Sequence, residues 1–258
     1  MSRPSWQEFR EYLLCRGRLG LARVSGSPAD LERLAAKLFP TAPPGPSPAA
    51  APPGAGPDQG PWPAPLPPAV GTLEQIRAFM GECTRCPLAR GRSRLVFGEG
   101  PEPARLMLIG EAPGAAEDRQ GRPFVGPAGQ LLARMLAAVG ISREEVFITN
   151  LVKCRPPENR DPEPGERAAC RPFLEAQVRA VAPELILGLG RLAAQALWDR
   201  PDPVSQLRGQ RGEVGGVPLL TTFHPAYLLR SPGHKALAYQ DLKAAARCLA
   251  RDPAPAGP

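Results

Sequence analysis

No stretch of the chain runs to 18 consecutive apolar residues, which excludes a membrane-spanning helix of ordinary length. The opening "MSRPSWQEFREYLL" lacks the apolar core and small-residue cleavage site of a secretory leader, so a cytoplasmic location is expected. No internal repeat is present, which sets aside solenoid and propeller architectures. Histidine is scarce, with two in 258 residues, and any role for either must rest on its surroundings. No carboxylate-rich metal site stands out, which removes a zinc-binding nucleotide hydrolase. The glycine-rich turn "GEAPG" (110–114) carries neither Gly-x-Gly-x-x-Gly nor Gly-Lys-Ser/Thr, so it departs from the dinucleotide and P-loop patterns.

What is present is unevenly distributed. From 41 to 70, 23 of 30 residues are Pro, Gly or Ala and the single charge is Asp58. Such a composition buries too little apolar surface to offset the entropy of ordering and reads as a semi-rigid, extended linker. It separates an N-terminal piece (1–40), expected to hold two short helices at about 5–14 and 28–38, from a main domain over 71–252. A disordered tail (253–258) follows. The main domain is long enough for a substantial core. The chain carries a net charge of +7. Residues 71–258 hold 25 basic against 20 acidic residues, and Arg85, Arg90, Arg92 and Arg94 fall together with no acid between Cys83 and Leu95. That excess is modest, and by itself it does not decide for nucleic acid.

In the main domain short apolar runs alternate with helical periodicity, which predicts an α/β fold: a three-layer α/β/α arrangement around a mostly parallel, four-stranded sheet. Strands are expected at 104–110, 146–150, 183–190 and 217–225. Helices are expected at Pro127–Val139, with Gly140 as the C-terminal cap, and at about 164–181, 190–198 and 234–250. In such sheets ligands bind at the carboxyl ends of the strands. Gly110 to Gly114, Asn150, Gly188 to Gly190 and His224-Pro225 all fall at those ends.

Cys83 and Cys86 form a Cys-x2-Cys pair, and Cys154 and Cys170 follow at 68 and 84 residues beyond Cys86. Two ligands on one turn and two from distant segments suit tetrahedral zinc or a [4Fe-4S] cluster equally. Cys83, Cys86 and Cys154 lie among arginines and prolines rather than in apolar runs, which favours ligation over burial as small hydrophobes. Glu111 inside the "GEAPG" turn would repel phosphate and points to a neutral ligand. Phe124, in a Gly/Pro-rich loop, is either a core plug or a platform for a planar ring. Asn150 closes a strand as a cap or as a ligand-reading amide. His224 in "TTFHPAY" taken alone is as consistent with structure as with catalysis.

Taken together, "GEAPGAAEDRQGRPFVGPAGQLL", "TNLVKC", the "LRG" at 207–209, "HPAYLLR" and the four cysteines closely resemble the family 4, iron-sulfur uracil-DNA glycosylases over about residues 72–249. The resemblance implies that Cys83, Cys86, Cys154 and Cys170 hold a [4Fe-4S] cluster. It places Gly110, Glu111 and Ala112 along the uracil pocket and Phe124 against the flipped base. Asn150 reads the base edge, Glu117 crowds its C5 side, and His224 is the catalytic histidine. The segment from Ala226 to Arg230 resembles the loop that enters DNA. Glu111 is the second catalytic candidate, and the sequence leaves three roles open for it: positioning or activating the attacking water, stabilising the sugar cation, or only shaping the loop. One relative bonds covalently to uracil through a histidine in an inserted basic loop; "KCRPPENRDPEPGERAAC" has no histidine, so covalent capture is not expected.

The implied activity is that of a DNA-repair hydrolase that flips uracil out of DNA and leaves an abasic site. No lysine stands near the motifs as a Schiff-base nucleophile, so a monofunctional glycosylase without strand cleavage is expected. The alternative is a non-catalytic Fe-S nucleic-acid-binding protein of the same fold, against which the joint retention of Glu111, Asn150 and His224 speaks. The expected partner is uracil-containing DNA and the expected state a monomer. The N-terminal region is a candidate site for a repair-protein partner.

Overall fold

The computed structural model describes residues 71–250. The expected N-terminal helices, the linker and the 253–258 tail lie outside the described residues.

Each central strand is an unbroken apolar run because both of its faces are covered. The strands β1 (Leu106–Gly110), β2 (Val146–Asn150) and β3 (Leu185–Leu189) are buried at every position. With β4 (Gly212–Val214) and β5 (Val217–Thr222) they form one sheet in the order β2-β1-β3-β5-β4, parallel except for β4, which pairs antiparallel with β5. The sheet therefore has five strands where four were expected. The addition is a three-residue, partly exposed hairpin edge.

Eight α-helices complete the described part: α1 (Leu73–Met80), α2 (Ala115–Gln120), α3 (Pro127–Ala137), α4 (Pro164–Val181), α5 (Arg191–Trp198), α6 (Val204–Leu207), α7 (Pro225–Arg230) and α8 (Lys235–Leu249). Alternation along β1 sorts the core into two layers. Leu106 and Leu108 face Leu132 and Leu136 of α3 and Leu242 and Ala245 of α8. Met107 and Ile109 face Leu174 and Val178 of α4 and Leu192 of α5. Each leucine fully buried in these layers contributes about 1.5 to 3 kcal/mol. The expected helices recur with their ends shifted by a residue or two. At α3 the chain closes on Ala138, whose N–H bonds to Arg134 O and Leu136 O, and Gly140 takes the left-handed turn (φ 77°) two residues later.

No described helix is long and apolar enough to cross a membrane. The chain leaves β1 for β2 on one side and returns to β3 on the other. The strand order thus reverses between β1 and β3, and a crevice opens beyond their carboxyl ends.

Candidate active site

A cleft of about 930 Å³ lies at that crevice, and Glu111, Ala112, Glu117, Phe124, Asn150 and His224 all line it. Gly110, the last residue of β1, does not itself line the cleft but packs directly against two residues that do. It pairs in register with Asn150 across β1 and β2. A Cβ at Gly110 would stand 2.4 Å from Asn150 Oδ1 and 2.7 Å from Phe124 Cζ. Only a residue without a side chain lets the strand end approach both groups so closely.

Asn150 is 1% exposed, and its Oδ1 has no hydrogen-bond partner. A buried amide oxygen left so costs about 1 to 3 kcal/mol, which a ligand N–H entering the cleft would recover. The backbone behind it is held firmly. Lys153, fully buried, donates from Nζ to Asn150 O and to Thr149 Oγ1, both at 2.6 Å.

Phe124 sits across the cleft floor with φ 51°, a left-handed conformation rare for an aromatic residue. Its ring centroid lies 5.6 Å from that of His224 at an interplanar angle of 32°. Glu117 touches the same loop: Oε1 accepts from Val125 N at 3.0 Å and Gly126 N at 2.9 Å. Its carboxylate therefore serves the backbone as well as the cleft wall.

His224 is the N-cap of α7, where its Nδ1 accepts the N–H of Ala226 at 3.1 Å. That bond fixes the tautomer, because Nδ1 must be unprotonated and the proton resides on Nε2. Burial, assisted by the nearby Arg230 charge and opposed by Glu117, lowers the imidazole pKa to about 4. At neutral pH the ring is an uncharged donor. It is set close to β3: a Cβ on Gly190 would come within 2.7 Å of His224 Cβ.

Glu111 titrates above the usual carboxylate range, chiefly because it is desolvated and secondly because Asp161 lies nearby, with Arg191 and Arg167 opposing. Asp161 is ion-paired to Arg191. Sequence reasoning missed Asp161, Arg191, Tyr227 and His234 as cleft residues. The hydroxyl of Tyr227 lies 3.2 Å from His234 Nδ1. The polar "NRDP" (159–162), in the loop that follows β2, and the status of His234 as the only other histidine, were the available signals.

Cys83, Cys86, Cys154 and Cys170 all line one small cavity. Among the described residues no three His, Cys, Asp or Glu side chains close around a point as a single metal ion requires. Burial raises the thiol pKa of Cys86 and Cys154 and pushes that of Cys170 up to about 12. Ligation as thiolates therefore needs compensating positive charge. It is present: Arg92 donates from Nη1 to Cys154 Sγ at 3.1 Å and to Cys83 O at 2.7 Å. The Lys153 ammonium adjoins Cys154 and Cys170.

A mostly parallel α/β sheet whose strand ends bring Asn150, Phe124 and a neutral His224 into one cleft defines a class. Residues 97–243 match the family model described as the Uracil DNA glycosylase superfamily. The chain is also 45% identical over 161 residues to a type-4 uracil-DNA glycosylase of Thermotoga maritima, covering 62% of this chain and 84% of that one. A type-4 enzyme of Pyrobaculum aerophilum is 42% identical over 178 residues (66% and 91% of the two chains), and one of Sulfurisphaera tokodaii 39% over 181 residues (67% and 82%). The protein belongs to the type-4 uracil-DNA glycosylase family.

Proposed function

We propose that the protein hydrolyses the N-glycosidic bond of deoxyuridine in DNA, releasing uracil and leaving an abasic site, with the cleft residues in the roles that follow. The observation that carries this reading is the buried, unpartnered Oδ1 of Asn150 on a floor shaped by Gly110 and Phe124. A base in a duplex is inaccessible, so the nucleotide is flipped out, at a cost of a few kcal/mol that is smallest for a mispaired base. Phe124 takes the ring face. Asn150 Oδ1 accepts from uracil N3–H while its amide N–H donates to O4. Cytosine presents the reverse pattern and is refused.

As the glycosidic bond breaks, negative charge gathers on uracil O2 and positive charge on the sugar. The Nε2–H of His224 meets the developing oxyanion, which favours the transition state over the ground state. Glu111 faces the sugar side, where it orients the attacking water or stabilises the cation. The cleft lining contains no lysine, and Lys153 is committed to Thr149 and Asn150. Both facts support a monofunctional hydrolase.

Cys83, Cys86, Cys154 and Cys170 would hold a [4Fe-4S] cluster, which supplies a covalent tie between the Cys83 turn and the loop after β2 rather than a chemical step. Arg92 and Lys153 offset its negative charge. The decisive assay incubates the protein with an end-labelled oligonucleotide carrying one uracil and treats it with alkali. Cleavage only after alkali supports glycosylase action. An intact strand from cluster-loaded protein would refute it, and cleavage without alkali would refute the monofunctional assignment.

A further inference from the structure

We infer that Arg143 and Glu117 form a two-sided clamp that holds the Phe124 backbone in its left-handed conformation, which makes Arg143 a positioning residue for the base-stacking ring. The inference rests on the stacking role proposed above for Phe124. The left-handed region brings Cβ against the following carbonyl and is disfavoured for any residue with a side chain. Something outside residue 124 must hold it there.

The surroundings supply that restraint from both sides. Arg143 Nη2 donates to Pro123 O at 2.6 Å and Nη1 to Phe124 O at 3.1 Å. On the other side, Glu117 Oε1 accepts the N–H groups of Val125 and Gly126. Two consecutive carbonyls are thus tied to a cation and the next two amides to an anion, with the turn at Phe124 between them. The first turn of α3 closes the remaining direction: a Cβ on Gly129 would lie 1.7 Å from Phe124 O.

Of the charged groups around Arg143, Glu99 is paired with Arg122 at 2.7 Å and Glu117 is held by the loop amides. Arg143 stands in the 3-10 turn Arg143–Glu145, fixed by a Ser142 capping box, immediately before β2. The strand that ends on the base-reading Asn150 therefore begins three residues after the arginine of the clamp. The guanidinium meets the two carbonyls with two separate nitrogens of a rigid, planar fork, a geometry that a single ammonium nitrogen does not reproduce.

The test is a double-mutant cycle on single-turnover uracil excision, using the full chain with its cluster, and with visible absorbance and melting temperature as controls for folding. Arg143→Met is expected to slow excision about 10-fold, the order of loss that accompanies a small misplacement of a positioning group. Phe124→Leu should also be slow, and the double variant should match Phe124→Leu within about twofold, because the effect of Arg143 passes through the ring. Arg143→Lys, which keeps one of the two carbonyl bonds, should fall between wild type and Arg143→Met, and it takes that variant's place in the cycle if Arg143→Met does not fold. Additive losses, or wild-type excision by Arg143→Met beside a slow Phe124→Leu, would overturn the clamp and leave the stacking reading standing. Wild-type excision by Phe124→Leu would instead overturn the stacking reading, and the clamp with it.

Discussion

Replacing His224 by alanine removes the only side-chain donor aimed at uracil O2 in the proposed geometry. The bond in question matters little to the bound substrate, because O2 carries full negative charge only as the base departs. Donors of this type contribute about 2.7 to 4 kcal/mol, or 100- to 1000-fold in rate. His224→Ala is therefore expected to lower the single-turnover excision rate by that factor while DNA affinity changes by less than about threefold. The pH dependence separates this mechanism from one using an imidazolium. With the imidazole pKa lowered to about 4, the ring stays neutral from pH 8 down to pH 5. Its contribution to the rate should therefore be flat across that range, changing only as the ring protonates near pH 4 and Nδ1 can no longer accept the Ala226 N–H. Rates of wild type and His224→Ala, measured from pH 8 to 5 on a uracil oligonucleotide, should run parallel. A wild-type rate that climbs as pH falls through 6.5, in a ratio to the variant that climbs with it, would refute the neutral-donor argument. Stability gives an independent check. A lowered folded-state pKa means that the unfolded chain binds the proton more readily, so stability is lost as pH falls from 6.5 towards 4. His224→Ala should flatten that part of the melting curve.

Asn150→Asp places an ionised oxygen opposite uracil O4, acceptor against acceptor, and should reduce uracil excision by at least about 10- to 100-fold, with at most a trace of cytosine release. Unchanged single-turnover excision of uracil would mean that Asn150 is a strand-end cap and nothing more. Gly110→Ala drives a methyl to 2.4 Å from Asn150 Oδ1 and 2.7 Å from Phe124. Near-complete loss of excision is expected while the visible spectrum is retained, and wild-type rates would show that the strand end is not the pocket floor. Cys154→Ser should abolish the brown colour and broad visible absorbance of anaerobically purified protein. Stoichiometric zinc without iron in the unmodified chain would refute the cluster.

The parts of the fold legible in the sequence are those where burial on both faces left an unbroken apolar run, as at Leu106–Ile109 and Leu185–Leu189. β4 escaped notice because a three-residue edge strand, Gly-Glu-Val, has too few positions for alternation to register. α2 escaped because Ala115–Gln120 is short, polar and bounded by Gly114 and Gly121, the pattern of a loop. At the cleft, Glu111, Asn150 and His224 could be found because each follows or closes a strand, where a parallel sheet presents its ligands. The pairing of Asp161 with Arg191, and Lys153 beneath Asn150, could not, since an ion pair across 30 residues or a buried ammonium on a carbonyl leaves no local pattern. Arg143 is the extreme case, because its acceptors are main-chain oxygens that every residue carries.

The missing side chains around the cleft set the protein's tolerance to change. At Gly110, Gly129 and Gly190 the first atom of any side chain would strike Asn150 and Phe124, the Phe124 carbonyl, and His224, respectively. None of these glycines donates a proton, holds iron or touches the base through a functional group. In a scan of every substitution they should nonetheless rank with Asn150 and His224 among the least replaceable positions, while many charged surface residues vary freely. The ancestry of such a pocket is constrained accordingly: a lineage can trade one hydrogen-bonding group for another and change the base it accepts, but it cannot add a carbon at these three points without first moving a strand.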